Sequence, residues 1–347
     1  MKNAYRRWAV SLTAGLLAVL TACGVLVHGV DPYFHYHAPD PRAEVYFDQR
    51  YQCAGLLRTQ DYETVLLGTS LAANYRASWF DVFYKTRTVK VTLPDGGFRE
   101  FDRVLRYAFE KQDVRRVIFG LDPTILARPV SEQSDALPRY LYDDNPRNDA
   151  PYLFSGDAAA RSLYVLRKKA AGETAPLDDA YLWDGSVYFS RELALAGYVR
   201  PPQARTRMAS DALERNCGEN LKIVTGWLRA HPDTHFIICF PPYSILFWDK
   251  MQRLGETDAM LEMISRAAET LLRYDNAEVQ FFMADGAVIT DLDNYADHIH
   301  AAGRVTYQFS RAMPAGTYRM TEENRKSVLD GLRALVVHYD YNSIWAK

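Results

Sequence analysis

The sequence predicts an α/β protein, built as a three-layer α/β/α sandwich around a mostly parallel sheet. Short apolar runs recur along the chain, and amphipathic helical segments separate them. This alternation is typical of parallel strands joined by helices. Glycine-containing turns follow several of the apolar runs, where a parallel sheet exposes its functional residues.

The chain opens with a segment suited to crossing a membrane. Lys2, Arg6 and Arg7 precede an apolar stretch from Trp8 to Val30 that contains no Asp, Glu, Lys or Arg. A helix of this length can cross a bilayer of about 30 Å. Because positive charges stay inside, the rest of the chain should face outward. Residues 1–30 are therefore predicted to be a transmembrane signal anchor in the cell membrane.

A lipoprotein signal peptide is the alternative for the same segment. Leu20-Thr21-Ala22-Cys23 matches the short pattern that precedes a lipid-modified cysteine, and signal peptides share a basic start and a modest apolar core. Apolar residues continue beyond it as Val25, Leu26 and Val27, which suits a span better than a cleavage site. Both interpretations place the domain of residues 31–347 on the outer face of the membrane.

Five strands and several helices are predicted within this domain. The strands are expected at Thr64 to Leu67, Thr88 to Val91, Val114 to Phe119, His235 to Phe240 and Val279 to Phe282. The helices are expected at about Arg99 to Lys111, Ala158 to Ala171, Gln203 to Ala230 and Thr257 to Tyr274, with one more beginning near Gly303. In a sheet of this kind, ligands bind outside the carboxyl ends of the strands.

The region at about 126–200 differs from the rest of the domain. It is rich in Pro, Asp, Tyr and Gly, with only patchy helical segments. A stretch this long is predicted to be an insertion over the sheet rather than a simple loop. Its segments Tyr181-Leu182-Trp183-Asp184-Gly185 and Tyr188-Phe189 suit a lid that shapes the substrate site; packing against the core is the alternative.

Composition narrows the classes of partner. Hydrophobic residues make up 48% of the chain, charged residues 24%, and the net charge is only -2, which is typical of a globular protein and argues against nucleic acid as a partner. The 23 tyrosines and 6 tryptophans could line a carbohydrate-binding cleft by stacking or fill ordinary half-buried surfaces.

Cysteine and histidine spacing predicts neither a metal nor another cofactor. No Cys/His pattern matches a zinc site. Cys239 lies within an apolar strand and is expected to be a buried thiol. Cys53 and Cys217 could pair in an oxidising space, but a chain of this length does not need disulfides.

Ser70 is a candidate nucleophile. Leu66-Leu67-Gly68-Thr69-Ser70 reads as the end of a strand and a tight turn before a helix. A serine hydroxyl becomes nucleophilic when an imidazole removes its proton, and a carboxylate fixes the tautomer of that imidazole. Asp297-His298-Ile299-His300 offers such a pair. Taken alone, the turn favours a simpler role, in which the Ser70 hydroxyl caps the helix.

Together these two segments resemble the SGNH/GDSL hydrolase superfamily, whose fold is flavodoxin-like. In that family the serine lies in a Gly-Asp-Ser-like turn and an Asp-x-x-His motif lies near the C-terminus; here Thr69 stands in place of that Asp. The resemblance implies Ser70 as nucleophile, His300 as general base and Asp297 as its orienting carboxylate. His298 competes for the role of base, and only the Asp-x-x-His spacing selects His300.

The resemblance also implies an oxyanion hole. One donor would be the backbone N–H of Ser70, and another the N–H of a glycine after the second strand. Gly97 fits that place, with Gly96 as the second choice. Ordinary turn chemistry also explains a glycine pair between a strand and a helix.

The third donor is in doubt. Gly120-Leu121-Asp122-Pro123 occupies the place of the family's Gly-x-Asn-Asp block, so Asp122 replaces the asparagine. An ionised carboxylate only accepts hydrogen bonds. Either Asp122 turns away or is protonated, the chemistry differs, or Asp122 anchors the loop by accepting backbone N–H bonds. Asn74 is a weaker candidate donor, and Ser244 a weaker rival nucleophile.

The order of elements, the anchor and Pro241-Pro242-Tyr243-Ser244 are similar to one membrane-anchored, SGNH-like branch. It includes the D-alanyl-lipoteichoic acid biosynthesis protein and alginate O-acetylation proteins, which act on envelope polymers, often beside a membrane-bound O-acyltransferase. The resemblance implies an esterase or O-acyltransferase that acts on an extracellular polysaccharide or teichoic-acid-like polymer through acyl-Ser70. The alternative is a catalytically inactive scaffold that binds envelope glycan or an assembly partner.

Overall fold

The structure, a computed structural model, describes residues 2–183, 185–204 and 210–345. It confirms the α/β class, with a six-stranded, mostly parallel sheet and an apolar N-terminal helix. The chain divides into two compact units. The first, here called the anchor unit, contains Met1–Gln60 and Leu137–Ala180. The second, the sheet unit, contains Asp61–Ala136 and Tyr181–Lys347.

The strands all belong to the sheet unit. They are β1 Thr64–Gly68, β2 Thr88–Thr92, β3 Arg116–Gly120, β4 His235–Phe240, β5 Ala277–Phe281 and β6 Arg319–Met320. The first five are parallel to their neighbours and confirm the five predicted strands. β6 pairs antiparallel with β5 and was not predicted, because two residues carry no periodic pattern.

The helices form between these strands and in the anchor unit. Within the described ranges they are α1 Lys2–Val30, α2 Gln49–Thr59, α3 Ala77–Tyr84, α4 Phe98–Lys111, α5 Pro123–Leu126, α6 Ala150–Leu153, α7 Gly156–Ala170, α8 Arg191–Ala196, α9 Ser210–Ala230, α10 Ile245–Leu254, α11 Thr257–Leu272, α12 Gly286–Thr290, α13 Gly303–Ala312 and α14 Glu322–His338. The helix predicted from Gln203 does not include residues 203 and 204, and its part at 205–209 lies outside the described residues.

In the anchor unit, α1 runs through the whole apolar segment. Asn3–Val30 is long and apolar enough to cross a membrane, judged by length and composition. Its last turns pack against the unit itself. The Cys23 thiol lies 3.5 Å from the carbonyl oxygen of Leu153, and Val27 is fully buried. α1 is therefore exposed over most of its length and packed at its C-terminal end.

The sheet order β2-β1-β3-β4-β5-β6 determines where a ligand can bind. The chain leaves β1 toward β2 on one side and later places β3 on the other side. The crevice between the carboxyl ends of β1 and β3 is therefore the topological switch point, where open α/β sheets bind ligands. In register, Gly68 at the end of β1 lies beside Gly120 at the end of β3.

An apolar core supports this end of the sheet. Leu66, Ile118 and Ile237 come from three neighbouring strands and pack with Phe309 of α13. Each buried side chain of this size contributes about 1.5–3 kcal/mol relative to an exposed one. The same cluster contains Ala72, two residues after Ser70, so the core also fixes the turn that carries Ser70.

All four cysteines are free thiols. Cys239 is buried in β4, as its apolar surroundings predicted. Cys53 and Cys217 are also buried, and the disulfide that the sequence left open between them is not formed. Burial raises the pKa of the Cys217 thiol to about 12, so this thiol is unreactive at neutral pH.

Candidate active site

Ser70 begins a short 3-10 helix, Ser70–Ala72, directly after β1. Its predecessor Thr69 is the N-cap, and Thr69 Oγ1 accepts a hydrogen bond from the N–H of Leu71 at 3.4 Å. The capping role that the sequence left open for Ser70 therefore belongs to Thr69. An N–H in the first turn of a helix has no intrahelical acceptor, which suits the Ser70 N–H to a role as an oxyanion donor.

Two hydrogen bonds in series connect Ser70, His300 and Asp297. The distance between Ser70 Oγ and His300 Nε2 is 2.9 Å, although the two residues are 230 positions apart. His300 Nδ1 lies 2.6 Å from Asp297 Oδ2. This is the arrangement in which one imidazole nitrogen can accept the serine proton while the other donates to a carboxylate.

Asp297 is held in its ionised form. Burial by itself would raise the pKa of Asp297, but the hydrogen bond and charge of His300 and the backbone N–H groups of Ile299 and His300 outweigh it. They lower the pKa of Asp297 to about 2. Both N–H groups donate to Asp297 Oδ1 at 2.8 Å. An ionised Asp297 keeps the proton on His300 Nδ1 and leaves Nε2 free to act as base.

The His300 imidazole is only 15% exposed, because an aromatic residue covers one of its faces. The ring centroids of Trp183 and His300 are 4.0 Å apart, with an angle of 34° between the planes. The sequence left open whether the segment of Trp183 is a lid or packs against the core, and it gave no sign that Trp183 contacts His300. Asp184 of that segment lies outside the described residues.

Asn74 connects three segments of the site. Its buried side chain donates from Nδ2 to the carbonyl of Ala301 at 2.9 Å. Its Oδ1 accepts the backbone N–H of Trp183 at 2.8 Å, and its own carbonyl accepts a hydrogen bond from Thr306 Oγ1 at 3.0 Å. Asn74 therefore positions the segments of Trp183 and Ala301 through both ends of its amide.

His298 and Ser244 do not take part in the arrangement. The Ser244 hydroxyl donates to the carbonyl of His298 at 2.8 Å and caps α10 by accepting the N–H of Leu246. Ser244 is fully buried. Burial lowers the pKa of His298, and the centroid of its ring lies 6.4 Å from that of Tyr198. The structure brings His300, and not His298, to Ser70.

Asp122 is an acceptor at the ends of three neighbouring strands. Its Oδ1 accepts from the N–H of Thr124 at 2.9 Å and the hydroxyl of Thr124 at 2.6 Å. The hydroxyl of Tyr243 also donates to Oδ1, and Oδ2 accepts from Thr69 Oγ1 at 3.2 Å. Burial and the Asp122 carboxylate raise the pKa of Tyr243 well above its ordinary value, so its hydroxyl remains a donor. Asp122 thus anchors the loop and is not placed as an oxyanion donor.

The glycine pair after β2 is also engaged elsewhere. The Gly97 N–H donates to the buried carboxylate of Glu100 at 3.3 Å, and the Gly96 N–H donates to the carbonyl of Leu93 at 2.8 Å. In this structure the N–H groups of Gly97 and Gly96 therefore both bond to acceptors within their own turn and helix start. Close packing explains why position 97 is a glycine, because an added Cβ would lie 2.6 Å from the carbonyl oxygen of Ser134.

Cavities lie at both ends of the sheet. A small apolar one of about 30 Å³ lies beside the site, lined in part by Leu71, Ile299 and Ala301. A larger one of about 570 Å³ is lined by residues 109–114 and 230–234, which precede β3 and β4. Because parallel sheets bind ligands at their carboxyl ends, we assign the site to Ser70 rather than to the larger cavity.

Within the described part of the chain, no group of three or more His, Cys, Asp or Glu side chains could hold a metal ion. Comparisons with models of known protein families and with curated proteins find no match for this sequence. The functional assignment therefore depends on the geometry of the site.

Proposed function

We propose that this protein is a serine esterase or O-acyltransferase of the SGNH type. The single observation that carries the proposal is the chain of hydrogen bonds from Ser70 through His300 to Asp297. The order of elements supports the same family, and so does the strand order 2-1-3-4-5 of β1 to β5, which is that of flavodoxin-like sheets. The proposal includes a three-layer α/β/α sandwich with an insertion at about 126–200.

The proposed reaction proceeds through an acyl-serine intermediate. Ser70 Oγ attacks the carbonyl carbon of an ester while its proton passes to His300 Nε2 and then to the leaving oxygen. Water or a sugar hydroxyl next gives its proton to Nε2 and attacks the acyl carbon, and Ser70 leaves as the restored hydroxyl. The scheme uses no cofactor. Ionised Asp297 stabilises the imidazolium in both steps.

We propose the cell envelope as the place of action. The apolar helix α1 and the basic residues that precede its apolar stretch support a single-pass anchor with the catalytic domain outside the cell membrane. The substrate would be an extracellular polysaccharide or a teichoic-acid-like polymer. A membrane-bound O-acyltransferase is the partner that the resemblance implies.

Covalent labelling with a fluorophosphonate tests whether Ser70 is activated, because the probe reacts with activated serines rather than with merely exposed ones. We expect the full-length protein to be labelled at Ser70, and Ser70→Ala and His300→Ala to lose labelling. Ser244→Ala and His298→Ala are matched controls that should keep it. Labelling that survives Ser70→Ala would place the nucleophile elsewhere.

A non-catalytic scaffold that binds envelope glycan or an assembly partner is the second candidate. It is favoured by the hydrogen bonds of Gly97 and Asp122, which leave the predicted oxyanion hole short of two donors. Losing one such donor typically costs about 100- to 1,000-fold in rate. A folded protein that the probe does not label, and whose partner binding survives Ser70→Ala, would support the scaffold.

A further inference from the structure

We infer that Trp183, held in place by Asn74, is a cover over His300 that directs the acyl group from Ser70 to an alcohol acceptor rather than to water. The inference rests on the proposed function and addresses the choice between hydrolase and transferase. The acceptor class is a sugar or polyol hydroxyl, whose carbon skeleton can pack against an indole ring.

The imidazole of His300 is enclosed from three directions. Nδ1 is bonded to Asp297, Nε2 faces Ser70, and the indole of Trp183 lies against one ring face at a centroid distance of 4.0 Å. With these three contacts, the His300 side chain is only 15% exposed. An attacking group must reach Nε2 to give up its proton, so this cover restricts which nucleophiles can approach.

Trp183 is fixed through its backbone. Its N–H is bound by the buried amide of Asn74 at 2.8 Å. Its carbonyl accepts the N–H groups of Ser186 and Val187 at 2.8 and 2.9 Å. Tyr181, two residues earlier, has a φ of 62°, a left-handed conformation that is costly for an aromatic residue. The backbone of Trp183 is therefore held at both its N–H and its carbonyl.

The same Asn74 amide also holds the segment that carries the base. Its Nδ2 donates to the carbonyl of Ala301, the residue after His300. One side chain thus sets the distance between the cover and the base. In this interpretation Asn74 is a positioning residue, whereas Trp183 contacts the acceptor by packing and forms no covalent bond with it.

The chemical consequence concerns the second step of the reaction. Acyl-Ser70 is an ester, and water competes with any alcohol for its carbonyl carbon. In both cases the attacking O–H gives its proton to His300 Nε2 and Ser70 recovers a proton as it leaves. A covered site limits free water, whereas an acceptor that packs against Trp183 brings its hydroxyl to the base.

The test measures how the acyl-enzyme divides between the two acceptors. The full-length protein in detergent would receive p-nitrophenyl acetate as donor and methyl glucoside as acceptor, and free acetate and acetylated glucoside would be quantified. We expect Trp183→Ala to raise the ratio of hydrolysis to transfer by about three- to tenfold, the loss typical of one aromatic contact. Trp183→Phe should fall between wild type and Trp183→Ala.

Tyr188→Ala is the matched control, because Tyr188 is an aromatic residue of the same region that is 85% exposed. It should leave the ratio unchanged. Asn74→Ala keeps the indole but removes its support, so it should shift the ratio in the same direction as Trp183→Ala. Trp183 lies in a half-buried turn, and its replacement leaves the apolar core of the sheet intact.

A second measurement does not depend on catalysis. Modification of His300 by diethyl pyrocarbonate, compared with His298 in the same protein, reports how far the imidazole is covered. We expect Trp183→Ala to speed the modification of His300 several-fold relative to His298. If Trp183→Ala leaves the rate of His300 modification relative to His298 unchanged, the inference that Trp183 covers His300 is overturned.

Failure of the proposed function and failure of the inference about Trp183 can be told apart. If mass spectrometry finds no acetyl group on Ser70 in the wild type, the proposed function is overturned and the inference with it. If acetyl-Ser70 forms but Trp183→Ala leaves the ratio of hydrolysis to transfer unchanged, the inference alone is overturned.

Discussion

The position of Ser70 depends on the side chain of the residue before it. Thr69 accepts the N–H of Leu71 and donates to Asp122, so a single hydroxyl both caps the short helix and ties the turn to the end of β3. Because Thr69 caps the helix, the Ser70 hydroxyl does not, and it forms a hydrogen bond with His300.

Asp122 allows a test that separates an anchor from an oxyanion donor. We expect Asp122→Asn to destabilise the fold by about 1–3 kcal/mol, because an amide NH₂ would face hydroxyl donors and leave buried groups unpaired. Urea unfolding measures the change. Asp113→Asn, at a carboxylate 87% exposed, is the control and should be nearly neutral. A stable Asp122→Asn variant that labels faster than wild type would instead indicate an oxyanion role.

Asp297 gives the site a predictable pH dependence. Its pKa is lowered from 3.8 to about 2, so the folded state binds its proton less readily than the unfolded state does. The stabilisation is present above pH 4 and is lost as the pH falls toward 2. At pH 7, Asp297→Asn should cost about 1–2 kcal/mol, a value reduced for the partial exposure of the carboxylate.

Unfolding of wild type and Asp297→Asn by urea at several pH values measures this effect. The difference between the two proteins should shrink as the pH falls from 5 to about 2, near the lowered pKa of Asp297. A difference that stays constant over this range would show that the carboxylate charge does not contribute to stability.

At the residue scale, contacts between residues close in sequence could be predicted, and contacts between distant residues could not. Asp297 and His300 share one short segment, so the sequence could pair them, and the structure places both with Ser70. The hydrogen bond from the Gly97 N–H to Glu100 could have been predicted, because an acidic side chain at the third position of a helix often accepts from the N-cap N–H. The Asn74 contacts span more than 100 positions, and no local pattern signals them.

At the element scale, the turn after β1 depends on the absence of a side chain at Gly68. A Cβ added there would lie 2.7 Å from the Cβ of Ala72, closer than two carbon atoms can pack. Gly68→Ala should therefore destabilise the fold by about 1–3 kcal/mol through overpacking. It should also slow labelling of Ser70, because the turn that carries the hydroxyl must shift.

Gly218→Ala in α9 is the matched control for that variant. An added Cβ at Gly218 meets nothing within 4 Å, so the exchange should stabilise the helix by up to about 1 kcal/mol. Thermal unfolding of the two variants makes the comparison. Equal stability of Gly68→Ala and wild type would mean that the turn tolerates a side chain, and that close packing does not fix Ser70.

Elements with a strong pattern were predictable, and elements formed by tertiary packing were not. β4 spans His235–Phe240 as predicted, because its apolar run is bounded by prolines. α3, Ala77–Tyr84, has Arg76 at its N-cap, whose side chain makes no capping hydrogen bond, so the sequence gives no start signal for this helix. α10 follows two prolines that indicated only the end of a strand, although Ser244 is its N-cap.

At the scale of the whole molecule, α1 has two parts, an exposed N-terminal part and a C-terminal part that packs against its own unit. One face of its last two turns packs inside the anchor unit, although Val25 is exposed. The Cys23 thiol lies against the carbonyl of Leu153, and an added Cβ at Gly24 would lie 3.0 Å from the ring of Phe154. The exposed part, up to about Ala22, is the part available to lipid. About 20 residues of helix extend over roughly 30 Å, the thickness of a bilayer core.

The two interpretations of the N-terminus make different predictions for this helix. Cleavage before Cys23 would remove the part of α1 that can span a membrane and leave Cys23 as a lipid-modified first residue. An uncleaved anchor keeps residues 1–30 and needs no lipid. We expect mass spectrometry of the membrane-extracted protein to find the intact helix and an unmodified Cys23, and Cys23→Ser to stay in the membrane fraction after carbonate washing. Release of Cys23→Ser by that wash, or a diacylglyceryl group on Cys23, would establish the lipoprotein instead.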